Sequence, residues 1–143
     1  MTKVNVTKYE DLEIGDKAEV THSVTDKDVK AFGELSGDYN PLHFNEEWAK
    51  TTLFKGRIAH GLLTASYVST AIGMHLPGPG TIYLRQSMSF LRPVRIGDTI
   101  KASVEVVEKN DEKRQITLKT VCINQIGKVV LDGEAVVTIM EMQ

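Results

Sequence analysis

Between Arg57 and Gly73 the chain reads RIAHGLLTASYVSTAIG, and this stretch limits the possible folds more than any other. Ile58, Leu62, Leu63, Ala65, Val68, Ala71 and Ile72 spread almost all round a helix, and the polar residues between them are mainly small hydroxyls. Such hydroxyls bond to carbonyls one turn back and tolerate burial. A helix with no charged face is an interior helix. This one is too short and too rich in hydroxyls for a membrane span, which places it in the core of a soluble domain. The remaining chain must then provide a surface that covers it.

A breaker, Leu76-Pro77-Gly78-Pro79-Gly80, follows, and from there to the C-terminus the pattern is that of strands. Ile82, Leu84, Met88 and Phe90 alternate with Tyr83, Arg85, Ser87 and Ser89, while Ile100, Ala102, Val104 and Val106 alternate with Lys101, Ser103 and Glu105. This predicts two strands with one buried face each. Gln115 to Asn124 and Val129 to Met140 add two more, the last broken by a bulge at Asp132-Gly133, and the charged run Glu108 to Arg114 reads as a solvated hairpin tip.

Ahead of the apolar helix, Lys17 to Val24 predicts a first strand with Ala18, Val20, His22 and Val24 on one face. His22 is read there as a strand-end histidine with no partner. Thr25 and Asp28 form a capping box for a helix whose buried stripe is Val29, Phe32 and Leu35 and which Gly37 ends in a left-handed conformation. Asn45 caps a short helix to about Thr52, with Trp48 on its packing side. Successive strands on short turns pair antiparallel, and such a sheet needs an apolar cover. The fold class is therefore α+β: a curved antiparallel sheet of about five strands wrapped round one long central helix, the hotdog arrangement, as a single domain over residues 1–143.

A net charge of -2 gives no reason to expect nucleic acid as a partner. The N-terminus lacks an apolar run of signal-peptide length and no segment reaches membrane-span length, so the expected location is cytoplasmic. The lone Cys122 excludes a disulfide within the chain, argues against a zinc cluster and reads as a small buried apolar residue.

Chemistry concentrates in one loop. Asp38, Asn40, Pro41 and His43 lie within six residues of one another, directly after the helix-ending Ser36-Gly37. Pro41 forbids further helix and biases Asn40 towards an extended conformation, so the loop is stiff and turned. One reading makes it a capped turn with a solvated histidine. The other makes Asp38 and His43 two bases aimed at one water molecule. A second element favours chemistry: a helix starting around Ala59-His60-Gly61 directs unpaired N–H groups and a positive dipole end forwards, as an oxyanion site requires. Gly61 lets a ligand carbonyl approach the backbone closely, and His60 reads as structural. A carboxylate, an imidazole, a water and an oxyanion site together suit addition of water across a double bond conjugated to a carbonyl.

The stretch Phe32 to Ala49, with its Ser-Gly-Asp-x-Asn-Pro-Leu-His core, five residues and then Ala, resembles the signature of the (R)-specific enoyl-CoA hydratases, or MaoC-like dehydratases. The likeness extends to Ile58-Ala59-His60-Gly61, Leu76 to Gly78, Ile82-Tyr83-Leu84 and Gly133-Glu134-Ala135. The resemblance implies a hotdog homodimer that hydrates trans-2-enoyl-CoA to (R)-3-hydroxyacyl-CoA for polyester synthesis or fatty-acid metabolism. It implies no cofactor, coenzyme A being part of the substrate. Asp38 and His43 match the catalytic pair, Gly61 the backbone oxyanion donor and Ser69 a site-lining serine, while Asn40 orients the loop. Two alternatives stay open: a 3-hydroxyacyl-ACP dehydratase with the same site, and a non-catalytic acyl-binding hotdog subunit. Lys55, Arg57, Arg85, Arg92 and Arg95 are cations without an assigned role.

Overall fold

The alternating C-terminal half forms the body of a sheet in the computed structural model, which describes residues 3–142. Its strands are β1 Lys17–Ser23, β2 Thr81–Phe90, β3 Thr99–Asn110, β4 Gln115–Ile123 and β5 Val129–Ile139, all paired antiparallel in the order β1-β3-β4-β5-β2. Only β3, β4 and β5 follow the simple rule that neighbours in sequence pair. β2 crosses to the far edge and bonds to β5.

Ile100, Ala102, Val104 and Val106 of β3, Ile116, Leu118 and Cys122 of β4, and Leu131, Ala135 and Val137 of β5 are buried on the concave side. Against them lies α4, Gly61–Thr70, through Leu63, Thr64, Tyr67 and Val68, followed by a wide turn, Ala71–His75, that adds Ala71 and Ile72. Each valine, leucine or isoleucine buried there contributes about 1.5–3 kcal/mol by leaving water. The five-stranded hotdog arrangement is thus the observed one, and among the described residues no helix is long and apolar enough to cross a membrane.

Several local expectations change. The helix does start within the expected Ala59-His60-Gly61 stretch, at Gly61, because residues 57–60 are held extended: the Ile58 amide donates to the Leu42 carbonyl at 3.2 Å and the Ala59 amide to the Val94 carbonyl at 2.7 Å. It is not buried all round, since the sheet covers one side only and Leu62 stays 62% exposed. β2 was expected to bury one face, but as an edge strand it leaves Ile82, Leu84 and Phe90 exposed along with Tyr83. No bulge interrupts β5 at Asp132-Gly133. Instead Gly133 lets two backbones close up, for a Cβ there would lie 1.9 Å from the Ser87 carbonyl oxygen.

In α1, Asp26–Ser36, the inward line runs through Val29 and Gly33, and Leu35, some 200° round from Gly33 at 100° per residue, points away. Ala49 takes the inward position expected of Trp48 in the short helix α3, Glu46–Ala49. The hairpin tip is not merely solvated: Asp111 accepts from the Tyr9 hydroxyl at 2.7 Å and Arg114 pairs with Glu10 at 2.7 Å, fastening the N-terminal segment to the sheet. His22 does have partners, the Asp28 carboxylate at 3.1 Å and the Tyr67 ring stacked 4.6 Å away.

Candidate active site

The loop is built from the end of α1. Thr25 and Asp28 cap the start of that helix reciprocally, at 3.1 and 3.0 Å, and Gly37 ends it at φ 81°, its amide donating to the Gly33 carbonyl. The Ser36 hydroxyl then accepts from the Asp38 amide at 3.1 Å, and the Asp38 carboxylate accepts from the Asn40 amide at 3.2 Å. Asn40 is the N-cap of a one-turn helix, α2 Pro41–Phe44, its side-chain oxygen accepting from the Leu42 amide at 3.0 Å. Pro41 does not stop a helix here but opens one, as its fixed φ and missing N–H allow at a first helical position. His43 therefore projects from a helical turn.

The His43 ring is nearly buried, and its Nδ1 stands 2.8 Å from the Ile58 carbonyl oxygen. A carbonyl only accepts, so Nδ1 carries the proton and Nε2 is the free base. Burial holds His43 below the ordinary histidine value, which keeps that nitrogen unprotonated. Arg57 braces the turn from behind: its Nε donates to the His43 carbonyl and its Nη2 to the Asp26 carboxylate, both at 2.7 Å. Arg95 and Arg92 likewise reach backbone carbonyls, of Gly56 and Val129.

The third part is the start of α4. The Leu63 and Thr64 amides donate to the His60 carbonyl, whereas the Gly61 and Leu62 amides have no acceptor among the described residues. Two free N–H groups at the positive end of a helix form an anion-stabilising terminus. Gly61 has a second reason to lack a side chain, since a Cβ would lie 2.8 Å from the Phe90 ring.

Asp38, His43 and Gly61 all open onto one cavity of 440 Å³, whose walls include His60, Thr64 and Phe90. Asn40 does not line the cavity; it caps the turn that carries His43. Ser69 is not brought to this cavity; it sits on the exposed part of α4. His60, Thr64 and Phe90 are among the wall residues that sequence reasoning did not place in a site. Asp38, His43 and His60 have donor atoms within 4.8 Å of one another, a grouping able in principle to hold a metal ion. One nitrogen of each ring is engaged with a backbone carbonyl, His43 Nδ1 with Ile58 and His60 Nε2 with Asp38, and the two ring centroids lie 4.0 Å apart.

Residues 11–140 match the family model described as "MaoC like domain". The (R)-specific enoyl-CoA hydratase of Rhodospirillum rubrum is 47% identical over 131 residues, covering 92% of this chain and 90% of that protein. The 3-hydroxybutyryl-CoA dehydratase of Methylorubrum extorquens is 43% identical, covering 97% and 88%. Among solved structures, the unliganded R-hydratase PhaJ1 from Pseudomonas aeruginosa superposes with a TM-score of 0.89 at 47% identity, covering 96% of this chain and 88% of that one.

Proposed function

Because this chain belongs to the MaoC-like domain family, we propose that it is a hydro-lyase acting on thioesters, adding water reversibly to trans-2-enoyl-CoA to give (R)-3-hydroxyacyl-CoA. The observation that carries the reading is the convergence of Asp38, the free Nε2 side of His43 and the Gly61 helix terminus on one cavity. In the proposed reaction Asp38 and His43 hold a water molecule. One of them takes its proton as it attacks the β-carbon, negative charge moves onto the thioester oxygen, and a proton is returned to the α-carbon. The Gly61 amide and the helix end stabilise that oxygen. Acid–base help of this kind is worth about 10² to 10⁴ in rate, and one oxyanion donor about 10² to 10³. Coenzyme A enters as part of the substrate, and no other cofactor takes part.

The working form is proposed to be a homodimer. β2 exposes Ile82, Tyr83 and Leu84 and offers an unpaired outer edge, an arrangement that a second copy can cover. Ser69, on the uncovered side of α4, is proposed to contribute to the site only in such an assembly.

The test is direct. With trans-2-butenoyl-CoA, absorbance of the conjugated thioester should fall on adding the purified protein, and the product should be oxidised by an (R)-specific but not an (S)-specific 3-hydroxyacyl-CoA dehydrogenase. An (S) product, or no consumption, contradicts the reading. Faster turnover of the same acyl group on an acyl carrier protein would move the assignment to the ACP-dependent reaction.

A further inference from the structure

His60 is 2% exposed and stands as the N-cap of α4, yet its side chain makes no capping bond to that helix. It turns instead to the loop. Its Nε2 lies 3.0 Å from the Asp38 backbone carbonyl, which can only accept, so Nε2 carries the proton. Its ring lies against that of His43, with centroids 4.0 Å apart and planes at 31°. Phe32 at 4.8 Å and Phe44 at 5.6 Å enclose it on other sides. One buried side chain thus touches both members of the proposed catalytic pair while sitting on the backbone that presents the oxyanion terminus.

Packing alone does not explain a histidine here. Its Nδ1 is buried with no partner among the described residues, which costs the desolvation of a polar atom that phenylalanine would not carry. A residue that breaks a local rule at a site is where function is to be sought.

We propose that His60 is a positioning residue, which locks the Asp38 backbone and the His43 ring into one arrangement in front of the α4 terminus. This rests on the hydratase reading for its kinetic consequence but not for its structural one. The donor bond fixes where the Asp38 carboxylate starts, and the stack fixes the plane of His43 while Ile58 fixes its tautomer. A displacement of about 1 Å in such groups costs on the order of 10²-fold in rate. Burial is the main cause that holds His43 down; of the charged groups facing it, Asp38 favours its protonation and Arg57 opposes it. Removing the imidazole at position 60 admits solvent and eases the burial that holds His43 down, so His43 should titrate at higher pH.

Two substitutions separate the contacts. His60→Phe keeps the stack and loses the donor; His60→Gln keeps a donor and loses the ring. Both are expected to lower kcat with trans-2-butenoyl-CoA by about 10- to 100-fold with KM within about threefold. In His60→Gln the acid limb of the kcat/KM profile should also move to higher pH, in step with the His43 imidazole followed by NMR. Folded variants with kcat within twofold of wild type, a loss confined to KM, or an unmoved His43 titration would overturn the proposal. A measurement on the unaltered protein stands apart from activity and from variant folding: ¹⁵N shifts of His60 should show the Nε2-protonated tautomer, and the Nδ1-protonated form would equally overturn it. An inactive wild-type protein with that tautomer and the expected His43 shift would instead count against the hydratase reading alone.

Discussion

Burial against the α4 entrance lowers the pKa of His43 from its ordinary 6.5, and the sign of the consequence follows. Between the two values the unfolded chain binds a proton that the folded chain does not, so stability falls as pH drops through about 6.5 and levels off once His43 is itself protonated. If His43 acts as a base, the acid limb of kcat/KM lies below 6.5, and a limb at or above that value would mean that His43 is not the titrating group. Asp38, Asn40 and His43 were legible in sequence because their chemistry is crowded into six residues. The bonds from His60 to Asp38 and from His43 to Ile58 span 22 and 15 positions, and the Gly61–Phe90 contact depends on how β2 crosses the helix entrance. Periodicity carries no signal for contacts of that kind.

At the scale of elements, caps were readable and edges were not. Thr25, Asp28, Gly37 and Asn45 act locally and stand where their side chains and backbone angles suggested. α4 starts at Gly61, within the Ala59-His60-Gly61 stretch expected, but the bonds that hold the residues before it extended, to Leu42 and Val94, lie in no window of sequence. The alternation in β2 resembled a half-buried strand, but burial depends on what the sheet places beside it, and β2 stands at the edge. Gly133 shows the same limit. It looked like a bulge signal and is a close approach to Ser87. Gly133→Ala is therefore expected to destabilise the fold by about 1–3 kcal/mol, through a backbone clash that only separation of β2 from β5 relieves. Thermal or denaturant unfolding measures it, and a loss under about 1 kcal/mol would show that the strands part easily.

At the scale of the molecule, the sheet wraps one side of α4 and leaves Leu62 and the apolar residues of β2 in the open, a poor state for a lone protomer. The dimer proposed from this should appear in light scattering as a particle of twice the chain mass. Leu84→Arg, which sets a charge on the exposed face of β2, should yield folded monomers with reduced hydration activity; a Leu84→Arg protein that stays dimeric would place the interface elsewhere. Everything else in the fold serves to hold a stiff turn opposite a helix terminus. The most direct test is the rate of trans-2-butenoyl-CoA hydration by Asp38→Asn and His43→Gln, each with its melting temperature checked against wild type. The expected result is a loss of at least about 10²-fold in both with the fold intact, and a wild-type rate in either folded variant would contradict the assignment of the pair.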